Sequence, residues 1–566
     1  MQFKKTTVSW LIFILPVLCF AQSTNLPQGS KHAAFLDRLE ILMQDNQELN
    51  FSGMKPFSRK SAVKAAEVAD SLDKKYPFDY FYHLSAIDKY NLQDLLMNNS
   101  EWVTGSKASF NSRKPLWDSV YKTKSDFLAV NEKDFFLAVN PVIQQQQSIE
   151  SGNSQRTFLN SKGLTARGLI ANKVGFDFYL TDNQERTPLF VQDYEKMFLA
   201  VPGAGFYKSF KVTAYDYFDA RGSIYFSAAK YFKFQFGYDK NFIGNGYRSL
   251  LLSDFGTNNL FFKINTRIWK LDYTNLFMEL IPQNKSNPGN ILLPKKYAAM
   301  HRLGINATKW LDIGLFEGVI FGRPNRFEFS YLNPVIFLRS IEQQNGSPDN
   351  AVVGLDYKMN IGHLGQLYGQ ILVDEFVLKE IKAGRGWWGN KFGMQFGGKV
   401  IDLFEVKNLD IQGEINVVRP FTYSHSDFIG NYTHYNQPLA HPLGANFSEI
   451  IGIIRYQPKP KWIGELKVIV FKQGVDTGNS NYGGNIFLLN STRSMGDYGY
   501  TIADGVKATG LNASVWVGYE VLENFFVDAS LMYRRYNVSV ATLQSRNSTM
   551  LTIGLRVNIY RRQYDY

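Results

Sequence analysis

From about residue 116 to its last residues the chain alternates apolar and polar positions with a period of two. In LFFKINTRI, Leu260, Phe262, Ile264 and Ile268 share one parity, and Lys263, Asn265 and Arg267 take the other. VVGLDYKMN sets Val353, Leu355, Tyr357 and Met359 against Gly354, Asp356, Lys358 and Asn360. LKVIV sets Leu466, Val468 and Val470 against Lys467, with Glu465 on the polar side. The final run, LTIGLRVNIY, opposes Leu551, Ile553, Leu555, Val557 and Ile559 to Thr552, Gly554, Arg556, Asn558 and Tyr560. One such segment describes a face of any half-buried sheet. Recurrence over the rest of the chain predicts a sheet that closes on itself, because hydrocarbon cannot satisfy an open edge. At ~10 residues per spanning strand plus turns, about 430 residues suffice for 16 to 18 antiparallel strands. SIESGNSQRT, IPQNKSNPGN and EQQNGSPDN read as turn-rich loops between them. No fixed repeat is present, which argues against a propeller or solenoid.

Residues 32–103 follow a different period. HAAFLDRLEILM places Ala34, Leu36, Leu39 and Leu42 on one broad helical face. SRKSAVKAAEVADSL opens with Ser58 as an N-cap, and AIDKYNLQDLLMNNSEW groups Ile87, Leu92, Leu95 and Leu96. The domain plan is a leader at 1–21, a helical module at 22–115, and a barrel with its loops at 116–566. The leader is read from Lys4 and Lys5, the uncharged run Val8–Phe20 and Ala21, with cleavage before Gln22. The only cysteine, Cys19, lies inside it, so the mature chain has no disulfide or thiol chemistry. Bulky Val17 and Leu18 disfavour lipidation of Cys19.

Composition sharpens the membrane reading. The chain holds 45 Phe, 32 Tyr and 9 Trp beside 45 Gly, yet only 45% of it is hydrophobic. Aromatic weight diluted among polar residues suits a barrel with lipid-facing and lumen-facing positions and aromatic girdles. A large secreted sandwich is the soluble alternative. The formal charge of +12 becomes +10 once Lys4 and Lys5 leave, which favours anionic partners such as acidic polysaccharide or lipid head groups. Export argues against nucleic acid.

Four groups of residues invite a chemical reading. FGYDKNFIGNGYRSLL lacks the Lys-Ser/Thr ending and strand–helix context of a nucleotide loop. Its Asp239, Asn241 and Arg248 are candidates for a glycan-binding surface or for holding the barrel mouth. Lys263 and Arg267 fall on the lumen parity with Lys233, Lys358, Lys467 and Arg556, and they either attract an anionic glycan or pair with internal acids such as Asp356 and Glu465. Arg385, Trp387 and Trp388 form either a sugar-stacking surface or an interfacial girdle, the girdle being favoured. His425, His434 and His441 lie near Asp427 and Glu449 without the spacing of a zinc site, and read as a constriction or plug loop. Asp374 and Glu375 are adjacent in a strand, so they are expected on opposite faces. No catalytic residue, metal or cofactor is assigned.

SRKSAVKAA, DKYNLQDLLMNNSEW, KPLWDSVYKTKSDFLAVNEKDFFLAVNPVI, FGYDKNFIGNGYRSLLLSDF, YLNPVIFLRSIE and HYNQPLAHPLGANFSE occur in that order. Together they resemble the Wzi-like capsule-assembly outer-membrane proteins, in the Bacteroidota branch that includes the gliding-motility protein RemB. The resemblance implies an 18-stranded outer-membrane barrel with a periplasmic helical module. It implies a non-enzymatic protein that binds, organises or anchors surface polysaccharide, with gliding supported in that branch. The partners expected are outer-membrane lipid, an acidic surface polysaccharide, and motility or secretion-machinery proteins. The chain departs from the enterobacterial type in its longer helical region, and no glycan-binding acid set carries over. A channel or accessory subunit of a secretion or motility assembly is the alternative, and an outer-membrane hydrolase a more distant one.

Overall fold

The computed structural model describes residues 23–76, 83–112, 120–284, 292–323, 328–540 and 544–566. The leader and the expected domain junction at 115–116 lie outside them. Eighteen antiparallel strands close into one barrel. The first six are β1 (Phe135–Glu150), β2 (Thr157–Ile170), β3 (Val174–Arg186), β4 (Ala214–Ala229), β5 (Phe232–Asp239) and β6 (Asn259–Ile268). They are followed by β7 (Leu271–Leu280), β8 (Lys296–Thr308), β9 (Leu311–Phe321), β10 (Asn350–Ile361), β11 (Gly365–Glu375) and β12 (Lys391–Val400). The last six are β13 (Leu409–Val418), β14 (Phe447–Lys459), β15 (Trp462–Val475), β16 (Val506–Leu522), β17 (Phe525–Val538) and β18 (Arg546–Val557).

β18 closes the barrel on β1, with Met550 opposite Glu150 and Val557 opposite Ile143. Where β18 ends, the short strand Leu128–Glu132 takes over the edge of β1 at Phe135–Val139. Between the two ladders, Asn140 Oδ1 accepts from the Phe127 N–H at 2.6 Å and the Asn558 amide donates to the Pro141 carbonyl at 2.8 Å, where a bare edge would be costly. The alternation maps onto the wall as predicted. Phe236 and Ile553 are 50% and 58% exposed, while Gln235 and Thr552 beside them are buried. Outside, Phe226, Phe234 and Phe262 stack across β4, β5 and β6 at 5.0 and 6.1 Å. One end of the barrel has tight turns such as 230–231, 269–270 and 523–524, and the other has long loops such as 187–213, 419–446 and 476–505. That asymmetry is the one found in outer-membrane barrels.

Three helices pack into the tight-turn mouth: α1 (His32–Met43), α2 (Arg59–Lys75) and α3 (Ala86–Met97). Leu36, Leu39, Ala62, Ala66, Leu92 and Leu95 form their shared core. Ala34 is exposed, so the predicted face of α1 is shifted; Phe35 is buried in its place. Ser58 caps α2 by accepting from the Ser61 N–H. α3 has a capping box that the sequence reading missed: Ser85 and Asp88 exchange side-chain-to-backbone hydrogen bonds of 3.0 and 3.1 Å. Such a cap stabilises a helix by about 1 kcal/mol.

The plug reaches deep into the lumen. Between α1 and α2 the chain rises and Met54–Lys55 pairs with Phe242–Ile243, from the loop after β5. The Gly244 N–H donates to the Gly53 carbonyl at 2.7 Å. Gly244 has φ +136°, and a Cβ there would lie 2.3 Å from Gln370, so only glycine fits. The glycine-rich stretch after Tyr238 therefore restarts as a strand inside the barrel, against the N-terminal segment.

After β18 the chain departs from prediction. Asn558 takes φ +53°, a conformation Asn tolerates, and Ile559 and Tyr560 leave the sheet instead of extending it. Residues 558–566 turn into the lumen. Tyr560 stacks on Tyr179, Arg561 pairs with Glu465, and Asp565 pairs with Lys467 at 2.6 Å and Arg248 at 3.1 Å. Helical plug, inward loop and returning tail together occupy the interior, leaving a cavity of about 370 Å³ between plug, wall and tail.

Candidate functional site

The basic residues of the lumen parity face inward, and Lys263, Arg267, Lys358, Lys467 and Arg556 are engaged by the lumen contents or by the wall itself. Lys263 donates to Asn241 at 3.0 Å. Arg267 pairs with Asp272 at 2.8 Å and lies 4.9 Å over the Phe51 ring of the plug. Lys358 pairs with Glu40 of α1, and Arg556 pairs with Asp528 at 2.6 Å. The expected internal acids take part: Asp356 grips Arg302 through two hydrogen bonds, and Glu465 holds Arg455 and Arg561. Asp239 accepts from the Lys240 N–H at 2.8 Å, and Arg248 is buried against Asp565. These residues hold the lumen contents together.

Arg385, Trp387 and Trp388 stand in the loop between helix α6 (Leu378–Ala383) and β12. Arg385 stacks on Tyr498 at 4.3 Å, and Trp388 receives Arg493 at 4.0 Å and Lys391 at 5.1 Å. The Trp388 ring is thus already engaged by two cations. Asp374 and Glu375 also depart from expectation. A β-bulge between Val373 and Glu375 breaks the alternation, and both carboxylates find inward partners, the Tyr423 N–H and Lys391.

The three histidines do not form one site. His425 lies 3.4 Å from Asp427, and His441 bonds Glu449 at 2.7 Å with both side chains fully buried. His434 accepts from the Ile281 N–H at 3.0 Å and donates from Nε2 to the Asn258 carbonyl at 3.0 Å. The loop that carries them folds inward, where Tyr423 and Tyr432 donate to the Leu250 and Leu251 carbonyls. Burial, aided by nearby Lys296, pushes the His434 imidazole down to about 4, and a neutral ring is what its two bonds require. Below its ordinary value near 6.5 the unfolded chain takes up a proton that the folded loop refuses. Stability is therefore complete above that pH and falls as pH drops toward 4. His434 should cost about 2–3 kcal/mol by pH 4.5. A shallower acid slope in thermal melts of His434→Gln, which can keep both hydrogen bonds, would confirm it; an unchanged slope would refute it.

At the loop end, a cavity of about 390 Å³ opens beneath helix α4 (Leu189–Phe198). Phe190, Tyr194, Phe487, Tyr536 and Tyr566 supply aromatic walls, and Arg534 and Arg546 supply charge. Arg534 is held 4.4 Å from Phe190 and 5.1 Å from Tyr536. Arg546 is anchored by Asp193 at 3.0 Å. Three polar atoms buried here lack a hydrogen-bond partner: Arg534 Nε, Tyr194 Oη and Tyr566 Oη. Burial pushes both phenols up, so each keeps its proton. Aromatic faces with arginines beside them suit a polar ligand with apolar faces, as a sugar has. The sequence reading missed this cleft because its residues come from five separated segments. The visible signal was the pair of arginine–aromatic runs, YRRY at 533–536 and YRRQYDY at 560–566.

Fold and site together define the class: a closed, internally plugged transmembrane β-barrel with an aromatic–arginine cleft at its loop end. Among solved structures the chain is similar to Wzi of Escherichia coli, described as an outer membrane protein involved in group 1 capsule assembly and a carbohydrate-binding β-barrel. The match covers 96% of this chain and 100% of that one, at 13% identity and a TM-score of 0.55. Acinetobacter baumannii OccAB2 and Pseudomonas aeruginosa OprD match 74% of the chain and 97% and 95% of their own, each at 9% identity, with TM-scores of 0.41 and 0.39. No protein-family profile and no curated protein sequence matches the chain. At these identities the likeness to Wzi establishes the fold.

Proposed function

We propose that this protein resides in the outer membrane and binds surface polysaccharide at the cleft under α4, without catalysing a reaction. The carrying observation is the convergence of Arg534 and Arg546 with the rings of Phe190, Tyr194, Phe487, Tyr536 and Tyr566 in one aromatic enclosure at the long-loop end. The arginines favour an acidic sugar, in keeping with the basic balance of the chain. The occupied lumen favours binding over passage, and the separate partners of His425, His434 and His441 favour binding over hydrolysis. The similarity to carbohydrate-binding Wzi points the same way. Anchoring of capsule, and support of gliding with motility or secretion-machinery partners, follow from the sequence resemblance and are the finer form of this reading.

Titration of the purified protein with acidic capsular or slime polysaccharide tests it. Arg534→Gln should weaken binding by about 10- to 100-fold, the worth of a charge-assisted hydrogen bond. Lys263→Met, behind the plug, should leave binding unchanged in protein that still folds. Equal affinity of Arg534→Gln and native protein would overturn the site assignment. Absence of binding to acidic and neutral glycans alike would overturn the function.

A further inference from the structure

The wall formed by β7, β8 and β9 carries polar residues on the parity that should face lipid. Asn275, His301 and Glu317 lie side by side in cross-strand register on that face. His301 Nδ1 is 2.8 Å from Glu317 Oε1, and all three residues are buried although they point outward. The chain between β9 and β10 covers them. Helix α5 (Leu338–Gln344) folds back over the outside of the barrel, and the Leu338 N–H donates to Glu317 Oε2 at 2.8 Å. Leu338, Ile341 and Tyr331 pack on the outward side chains of Ala299, Val319 and Phe321. Arg323 and Tyr331 clamp the base of this lobe to Asp349.

The lobe buries one face and presents another. Leu332, Val335, Ile336 and Phe337 are exposed on its outer side, Val335 by 84%. Its backbone suits a poorly hydrated setting. The Val335 and Ile336 N–H groups both donate to Asn333 Oδ1, at 3.0 and 3.3 Å, and Pro334 between them and Asn333 has no donor. Below the lobe the apolar belt continues through Leu315, which is 47% exposed. Beside it, Phe376, Leu378 and Ile381 in the loop after β11 are also exposed.

We propose that this external lobe is a membrane-seated element, with Leu332, Val335, Ile336 and Phe337 inserted among the lipids of the outer leaflet at interfacial depth. The lobe seals a polar row that hydrocarbon would not tolerate and carries the lipid-contacting surface in its stead. Continuity with the barrel's own lipid belt identifies the occupant as lipid. Arg339, paired with Glu342 at 2.6 Å and half exposed, is placed to reach head groups.

Because Cys19 is the only cysteine, single-site labelling in a Cys19→Ser background is direct. An environment-sensitive fluorophore is attached at Val335→Cys, at Leu315→Cys as a belt control, and at Asp497→Cys as a loop control, in full-length protein reconstituted in phosphatidylcholine vesicles. Heat-modifiable gel mobility shows that each variant is folded. The Val335 label is expected to lose emission to nitroxide-bearing lipids as the Leu315 label does, and to be spared by iodide. Quenching by iodide as at Asp497, with no response to nitroxide lipids, would overturn the proposal. So would a Val335 label shielded from both quenchers in native membranes but open to iodide in vesicles, which would mean a protein covers the lobe.

Discussion

Removing residues 23–112 together with 558–566 is expected to turn a silent barrel into a channel. A wall of this size encloses an aqueous pore when nothing fills it, as 16- to 18-stranded porins show. Here the interior is occupied from both ends of the strand order, by α1–α3 with the segment that pairs Met54–Lys55 to Phe242–Ile243, and by the tail that sets Asp565 against Lys467 and Arg248. All eighteen strands survive the double deletion. The lumen side chains it uncovers, among them Lys358, Arg302 and Lys467, are polar and compatible with water. In planar bilayers the intact protein should show no steady conductance, and the doubly deleted protein should exceed it by about tenfold or more. A conducting intact protein would reject the sealed lumen and restore the channel reading. A silent deletion mutant, folded by its gel shift, would show that the inward loops 240–258 and 419–446 seal the barrel without the plug and tail.

The second large effect belongs to Lys31. Its ammonium lies 2.9 Å from Asp94, 2.7 Å from Glu520 and 2.6 Å from Glu523, joining the helical plug to the turn between β16 and β17. Burial alone would lower its affinity for the proton, but Asp94, Glu523 and Glu520 outweigh that and hold it above the ordinary lysine value. Lys31→Met leaves two buried carboxylates and the half-buried Glu523, with oxygens within 4.8 Å of one another. Breaking such a cluster should cost about 3–5 kcal/mol, read as a lowered thermal midpoint and faster proteolysis of the plug. The same oxygens then form a hard-cation site, so millimolar calcium should restore part of the loss in the variant and leave the native protein unchanged. An unaltered midpoint in Lys31→Met would show that this cluster does not clamp the plug.

The wall was legible in the sequence because strand alternation has a period of two, and every lipid-facing choice in LFFKINTRI and VVGLDYKMN holds. What fills the wall was not. A helical pattern shows a face to bury without naming its partner, so Arg38 bridging Asp88, Asp402 and Asp410 could not be read. Alternation runs unbroken through Ile559, and only the positive φ of Asn558 ends the sheet two residues earlier. The lumen cations were found by parity, yet parity does not place the plug and tail that supply partners such as Glu40 for Lys358 and Asp565 for Lys467. The cleft under α4 was hidden for the same reason. Asn275, His301 and Glu317 break the rule that outward means apolar, and the rule fails there because the chain covers its own wall.

The tail that follows β18 also constrains the order of assembly. β18 must meet β1 across some 400 residues of sequence, the kind of distant pairing that makes a chain slow to fold. Immediately beyond that seam, Arg561, Tyr564 and Asp565 must already lie inside, against β15, β3 and the loop after β5. Biogenesis is therefore a packing problem as much as a zippering one: the last hairpin can shut only around a cargo made of its own chain, and the seam and its contents should become resistant to protease together.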